Sequence, residues 1–261
     1  MSKSFLGVAL TSLLVLSGTA FADDFFHFED AGGVIWWNSA MNVYVNPYTA
    51  KDTTTSQTLS VYCDDWNSDF SGNPSWYATV TPLTGLNFST LSTTSLKYKA
   101  ANPVFDLDST GYTTTSDPSQ DQLAQRYLEA AWLDNKWRTG TPGFDQRILA
   151  AAVWTLFVNK DHVGGLVGAI KASGYTAEVI SYLDAAEAGI VNWDAAGWYV
   201  ITPDTDHHVG DLGPGDLHQD INGADMQEFM YYSSPEPGAV ILLGTVLGIL
   251  GLTKFHRKVR A

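Results

Sequence analysis

The hydrophobic pattern of this chain changes its period twice, and this restricts the possible folds more than any other feature. Over residues 32–104, short runs of apolar residues are separated by Thr, Ser, Asn, Gly and Pro, as in strands joined by turns. From residue 117 the apolar spacing becomes helical, and strand-like runs return at Trp198. The sequence therefore predicts an α+β fold. It would have a β-rich N-terminal half, a central helical block and late strands that rejoin the first sheet.

Three helices are expected in the central block. Asp117-Pro118, followed by Gln120, has the residues of a helix start with a capping-box partner. Thr141-Pro142 is expected to open a second helix, with an apolar stripe over residues 148–157. A third helix is expected over residues 176–190. One domain explains this order of elements, and a division into two domains near residue 117 is the alternative.

The first residues of the chain have the composition of a cleavable signal peptide. Lys3 is followed by an apolar run over residues 5–16 and by Ala20-Phe21-Ala22, which fits the small-x-small rule of signal peptidase. The apolar run is shorter than a membrane-spanning helix requires. We therefore expect export, removal of residues 1–22 by signal peptidase, and an extracellular α+β domain over residues 23–232.

Residues 233–261 contain three unlike segments in a defined order. Pro235, Glu236 and Pro237 come first, an uncharged apolar run over residues 238–253 follows, and a basic cluster closes the chain. The cluster over residues 254–261 contains Lys254, Arg257, Lys258 and Arg260. By the positive-inside rule, this basic end stays in the cytoplasm. At about 1.5 Å per residue the run is short for about 30 Å of hydrocarbon, so we expect a transmembrane helix that anchors the chain temporarily.

These three segments together resemble the PEP-CTERM sorting signal that exosortases recognise. The resemblance covers only the C-terminal tail and says nothing about the domain before it. It implies a Gram-negative host, transient insertion into the inner membrane, cleavage near Pro235-Glu236-Pro237, and release or attachment at the cell surface. Signal peptidase and an exosortase are therefore the expected processing partners.

The charge of the chain restricts its partners. It contains 28 Asp and Glu against 14 Lys and Arg, and five of the basic residues lie in the two predicted end signals. The segment between the signals is therefore more acidic than the whole chain. Such a surface disfavours nucleic acid and anionic lipid, and it suits divalent cations or repulsion between neighbouring molecules.

Cys63 is the only cysteine of the chain, so an internal disulfide is excluded. Tyr62-Cys63-Asp64-Asp65, with residues 130–133 and 152–154, resembles the thioester domains of bacterial surface adhesins. In that family a cysteine sulfur displaces ammonia from a glutamine carboxamide. The matching position here is Ala150, and alanine cannot be acylated.

Cys63 is therefore expected to be a buried core residue or a relic of a thioester position. We predict a buried or half-buried thiol beside the helix that carries Ala150 and Trp154, because the pattern Leu59, Val61, Cys63 directs this side chain inward. A shifted bond to Gln146, one helical turn before Ala150, is the alternative.

Calcium is considered as a cofactor at one acidic turn. Asp65, Asn67 and Asp69 alternate as oxygen ligands do in a calcium loop. However, the glycine comes late at Gly72, and Trp76 occupies the position of the closing glutamate. A solvated acidic turn is the alternative, and the same choice applies to the acidic turns over residues 204–225.

The sequence contains no common catalytic motif. Gly-x-Ser-x-Gly, His-Glu-x-x-His and a phosphate-binding glycine loop are all absent. His207, His208 and His218 match no zinc spacing, and surface histidines are expected there. Carboxylates are too numerous for a glycosidase pair to be selected from sequence.

Two hypotheses follow for the function. The first is an exported, exosortase-processed surface or matrix protein with a non-catalytic structural or adhesive role, associated with exopolysaccharide. The alternative is an exported enzyme or binding protein that acts on polysaccharide. Two carboxylates in an open groove lined with tryptophan would favour the alternative, and a closed, packed core would favour the first. The tryptophans considered for sugar stacking, and expected rather in the core, are Trp36, Trp37, Trp66 and Trp76.

Overall fold

Strands of alternating apolar residues close into a barrel in the computed structural model of this protein. The structure describes residues 24–30, 36–38, 41–44, 47–64, 75–86, 96–98, 104–109, 111–115, 119–159, 161–204 and 227–234. The strands are β1 (Asp24–Asp30), β2 (Trp36–Asn38), β3 (Met41–Tyr44), β4 (Tyr48–Asp52), β5 (Gln57–Cys63), β6 (Ser75–Pro82), β7 (Val104–Leu107), β8 (Tyr112–Thr115), β9 (Trp198–Pro203) and β10 (Phe229–Tyr232). The helices are α1 (Gln120–Arg138), α2 (Gln146–Phe157), α3 (Val163–Ser173) and α4 (Thr176–Gly189), and a 3-10 turn (Ile190–Asn192) follows α4.

The barrel contains six antiparallel strands in the order β1-β4-β5-β10-β9-β6, and β6 pairs again with β1. Two further pairs, β2 with β3 and β7 with β8, form separate two-stranded sheets. The late strands pair with the early ones, because β9 lies beside β6 and β10 lies beside β5. The α+β class is therefore confirmed, with late strands that rejoin the first sheet.

The barrel wall separates two hydrophobic cores. Side chains that alternate along each strand fill the barrel interior, including Phe26, Trp76 and Phe229. Residues of the opposite parity, such as Tyr62 and Trp198, belong to a second core that the helices complete. The helical core therefore packs against the outer face of the barrel, where the Trp137 ring of α1 lies 6.0 Å from the Tyr62 ring.

Helix α1 begins later than the sequence pattern predicts. Its N-cap is Ser119, not Asp117. The Gln122 amide donates to the Ser119 hydroxyl at 3.3 Å, and the Ser119 amide donates to the Gln122 side chain at 2.8 Å. This capping box satisfies two amides at the end of the helix, so the predicted start at Asp117-Pro118 is wrong.

Helix α2 also begins later than predicted. Gly143 has a φ of 89°, which lies outside the helical region, so a helix cannot continue from Thr141-Pro142. The helix starts instead at Gln146 behind the N-cap Asp145, whose side chain accepts from the Arg147 amide. The predicted start at Thr141-Pro142 is therefore wrong, whereas the apolar stripe of this helix is buried as expected.

Helix α3 was not predicted from the sequence. It contains three glycines, which weaken the intrinsic helix propensity, but Leu166 and Ile170 are fully buried. Tertiary packing therefore stabilises this helix. The expected third helix is confirmed as α4, which begins at Thr176.

The predicted end signals lie outside the described residues. This applies to residues 1–22, to the motif at residues 235–237, to the apolar run over residues 238–253 and to the basic cluster over residues 254–261. In the described parts of the chain, no helix has both the length and the apolar composition that a membrane span requires.

Candidate functional site

A groove of about 350 Å³ opens between the helices. Helix α1 lines one side with Gln122, Gln125, Arg126 and Glu129, which share a face because they follow the i, i+3, i+4 and i+7 spacing. The other sides come from β7, from the end of α2 and from α4. These elements contribute Asp106, Leu107, Thr155, Leu156, Leu183, Asp184 and Glu187.

Two charged side chains form the floor of the groove. Arg126 is 9% exposed and Glu129 is 7% exposed, and ionised groups are rarely buried to this extent. The Arg126 guanidinium donates to the Leu156 carbonyl oxygen and lies 3.7 Å from an oxygen of Asp106. Burial lowers the pKa of Arg126 to about 10, although the nearby carboxylates oppose this shift.

The Glu129 carboxyl has a perturbed pKa. Burial is the main cause, and it raises the pKa because it disfavours the charged form. The carboxylates of Glu187 and Asp106 raise the pKa further. A hydrogen bond of 2.6 Å from Gln125 to Oε1, together with the Arg126 charge, opposes the shift.

The rim of the groove is acidic and exposed. Asp184 and Glu187 lie on α4 with exposed side chains, and Asp106 lies on the opposite side at the end of β7. Carboxylates accept hydrogen bonds from a polar ligand, and side-chain amides can both accept and donate them. Among the described residues that line the groove, none is aromatic, so the tryptophan-lined groove that would favour an enzyme is not found in this part of the chain.

A second polar cluster lies between the barrel and α1. Glu228 is fully buried, and its carboxylate accepts from the Tyr127 hydroxyl at 2.8 Å and from the Thr202 hydroxyl at 2.5 Å. It also accepts from the Lys97 amide at 2.9 Å. The Tyr127 hydroxyl in turn accepts from the Tyr98 amide at 3.0 Å. This network connects β9, β10, α1 and residues 96–98.

Tyr127 remains a hydrogen-bond donor because of its surroundings. Burial raises the pKa of its hydroxyl well above the usual value, and the charges of Glu228 and Asp64 raise it further. The neutral hydroxyl can therefore both donate to Glu228 and accept from the Tyr98 amide. The partners inside the cluster satisfy one another, which favours a structural role over ligand binding.

Cys63 is half-buried, as expected, but it faces away from the helices. It pairs with Phe229 across the sheet and packs against the core of the barrel interior. Ala150 and Trp154 belong instead to the helical core on the other side of the barrel wall. The predicted position of Cys63 beside that helix is therefore wrong, because strand parity turns Tyr62, not Cys63, towards the helices.

Gln146, the alternative partner for a thioester bond, is not placed for a bond with Cys63 either. Gln146 is exposed at the first position of α2, while Cys63 faces the barrel interior. The orientation of Cys63 towards the barrel interior therefore does not support the resemblance to thioester domains.

The other predicted site residues are mostly outside the described parts of the chain. This holds for the calcium candidates Asp65, Asn67 and Asp69, and for the three loop histidines. Within the described ranges, no group of three or more His, Cys, Asp and Glu side chains is arranged to hold a metal ion. Trp76 is 2% exposed, which confirms the expectation that it is a core residue.

The sequence reasoning missed the groove because it treated the many carboxylates as uninformative. A signal was nevertheless present in α1. Gln122, Arg126 and Glu129 recur at helical spacing between the apolar positions, which predicts a continuous polar stripe along one face. The sequence does not show that α4 and β7 place further carboxylates opposite that stripe.

Comparison with known proteins identifies no relative of this chain. No protein-family model, no curated protein and no solved structure matches this chain.

Proposed function

We propose that this protein is an exported, exosortase-processed surface or extracellular-matrix protein with a non-catalytic structural or adhesive role, associated with exopolysaccharide. One observation carries the proposal. Pro235-Glu236-Pro237, an apolar run and a basic cluster follow one another directly after the folded domain. A charged start, a short apolar run and a small-x-small motif precede that domain, so both ends support export.

The position of the barrel strands supports this proposal. The first barrel strand begins at Asp24, just after the expected signal peptidase site. The last barrel strand ends at Tyr232, just before the Pro-Glu-Pro motif. Both cleavages would therefore leave all six barrel strands in the mature chain.

The packing of the barrel supports a scaffold role. Aromatic side chains fill its interior, with the Trp76 and Phe229 rings 6.0 Å apart and the Phe28 and Tyr48 rings 5.5 Å apart. Such packing suits a protein that must persist outside the cell without disulfides.

The test is the intact mass of the secreted protein in a Gram-negative host that has an exosortase. We expect a chain that begins at or near Asp23 and lacks everything beyond the region of residues 235–237. The same host without its exosortase is the control, and there the tail should stay attached. Deletion of residues 254–261 should let the chain cross the membrane unprocessed. A peptide around Phe255 that remains on most of the surface protein would contradict the proposal.

A further inference from the structure

We infer that the groove between α1, α2 and α4 binds an amino sugar in its protonated, non-acetylated form, alone or within a polysaccharide. The requirement for an amine follows from the charges and hydrogen bonds of the groove. The choice of a saccharide rests on the proposed location of the protein in an extracellular matrix, so this inference deepens the proposed function.

The buried floor of the groove offers an acceptor to a ligand. Glu129 is 7% exposed, and its Oε1 atom accepts a hydrogen bond from Gln125. Among the described residues, no other side chain or amide donates to this carboxyl group. The second oxygen of Glu129 is not fully enclosed by protein, so a hydrogen-bond donor in the groove can reach it. An ammonium group of a ligand is a donor that also supplies the opposite charge.

The charges around the groove favour a cation. Asp106, Glu129, Asp184 and Glu187 contribute four carboxyl groups, and Arg126 is the one basic side chain among the described lining residues. Arg126 already interacts with Asp106 and with the carbonyl oxygen of Leu156. The field of the groove is therefore negative, and the net charge of −14 on the chain disfavours an anionic polymer at any distance.

The arrangement suits an ammonium group with neighbouring hydroxyls rather than a metal ion. The carboxylates are distributed over β7, α1 and α4, and no metal-holding group of His, Cys, Asp and Glu occurs in the described ranges. Between them lie neutral polar groups that can bind hydroxyls. Gln122 and Gln125 contribute amides, and the Thr155 hydroxyl, which donates to the Ala151 carbonyl, can still accept a hydrogen bond.

The size of the groove is compatible with a small sugar unit. Its volume of about 350 Å³ lies near the lower end of the range for small-molecule sites, about 300–1,000 Å³. It also opens to solvent along the rim of α4, where Asp184 and Glu187 are exposed. A longer chain of sugar units can therefore continue beyond the groove.

The test is calorimetric titration of the full-length protein in detergent with a glucosamine tetramer. The double variant Asp184→Asn/Glu187→Gln should bind at least about tenfold more weakly, since two charge-assisted contacts are lost. Both side chains are exposed, so the fold should be unaffected. Glu178→Gln is the control, to be compared with the single variant Glu187→Gln. Each removes one exposed carboxylate of α4, but Glu178 lies about two and a half turns from Glu187 on the opposite face of the helix, so its change should leave the affinity unchanged.

Two further ligands and an analysis of the sugar products decide the chemical class. The N-acetylated tetramer should bind at least about tenfold more weakly, because it lacks the charge. Equal affinity for both tetramers, or no binding of the glucosamine tetramer, would overturn the inference. Spermidine that binds as tightly as the sugar would overturn the saccharide assignment, and shorter sugar products in the mixture would overturn a purely binding role. None of these results depends on cleavage of the tail, so a failure here is distinguishable from a failure of the sorting proposal.

Discussion

The two faces of the barrel wall are stabilised in different ways, and two consecutive residues show the contrast. Phe229 points into the barrel, where it packs against aromatic rings such as Trp76. Glu228, directly before it, is equally buried but contributes its carboxylate to a hydrogen-bond network beside α1. The interior depends on apolar volume, whereas the interface between barrel and helices also depends on matched polar partners.

This difference explains why the sequence predicts the barrel interior but not the polar network on the other face. The interior requires only alternating apolar side chains, and many combinations of similar volume would fill it. The polar network requires particular partners, and Glu228 and Tyr127 are 101 positions apart. A buried polar group that loses its partner costs about 1–3 kcal/mol of free energy, so each member of the network depends on the others.

The largest effect is expected in the barrel interior. The change Phe229→Ala would remove a fully buried ring that contacts Trp76 and Tyr48, and we expect it to lower the free energy of unfolding by about 3–5 kcal/mol. Urea denaturation followed by tryptophan fluorescence measures this loss. Val191→Ala is the control, because Val191 is 74% exposed and its truncation should cost less than about 0.5 kcal/mol. Similar losses in both variants would show that the barrel interior is not the dominant core.

A smaller effect is expected at the polar interface. Tyr127→Phe keeps the ring but removes the hydroxyl that donates to Glu228 and accepts from the Tyr98 amide. We expect the free energy of unfolding to fall by about 1–3 kcal/mol, because two buried groups lose a partner.

Tyr62→Phe tests whether the hydrogen bonds themselves cause that loss. Tyr62 is also buried at this interface, and within the described residues its hydroxyl has no hydrogen bond. Removal of this hydroxyl should therefore cost well under about 1 kcal/mol. Equal losses for Tyr62→Phe and Tyr127→Phe, measured by urea denaturation, would mean that packing alone stabilises the interface and that the contrast between the two faces is wrong.

The sequence predicted the class of the fold because hydrophobic period is a local property. The change from strand to helix and back was visible, and the late strands do join the early ones. The first strand, β1, was missed, since its acidic ends resemble a solvated segment although Phe26 and Phe28 alternate correctly. The predicted starts of α1 and α2 are a few residues too early. The observed N-caps, Ser119 and Asp145, are preceded by other residues that are also good N-caps.

The position of Cys63 shows what strand alternation can and cannot establish. The pattern correctly grouped Leu59, Val61 and Cys63 on one face of β5. It could not show which face the helices would cover, and a resemblance to thioester domains suggested the wrong one. The groove was missed for a related reason, because its carboxylates come from β7, α1 and α4, which only the tertiary structure brings together.

The third effect depends on pH and is smallest near pH 4. It concerns Asp134 on α1, a buried carboxyl group at the same interface. Burial raises its pKa well above the usual value, and one oxygen has no hydrogen-bond partner among the described residues. The Tyr62 hydroxyl is an ionisable neighbour of Asp134, since the Asp134 carboxyl raises the pKa of Tyr62.

The folded state retains the Asp134 proton at pH values where the unfolded chain has released it. The unfolded state therefore binds fewer protons, and the free energy of unfolding falls as the pH rises above the ordinary aspartate pKa towards the raised value.

Asp134→Asn removes this titration while it keeps the volume of the side chain. We expect the variant to be closest to, or below, the parent in stability near pH 4 and to gain relative to it as the pH rises. Urea denaturation of both proteins at a series of pH values measures the difference, in which the titration of all other groups cancels. A difference that stays constant with pH would show that Asp134 ionises as readily in the folded protein as in the unfolded chain. The polar face of the barrel wall would then be more accessible to water than its burial indicates.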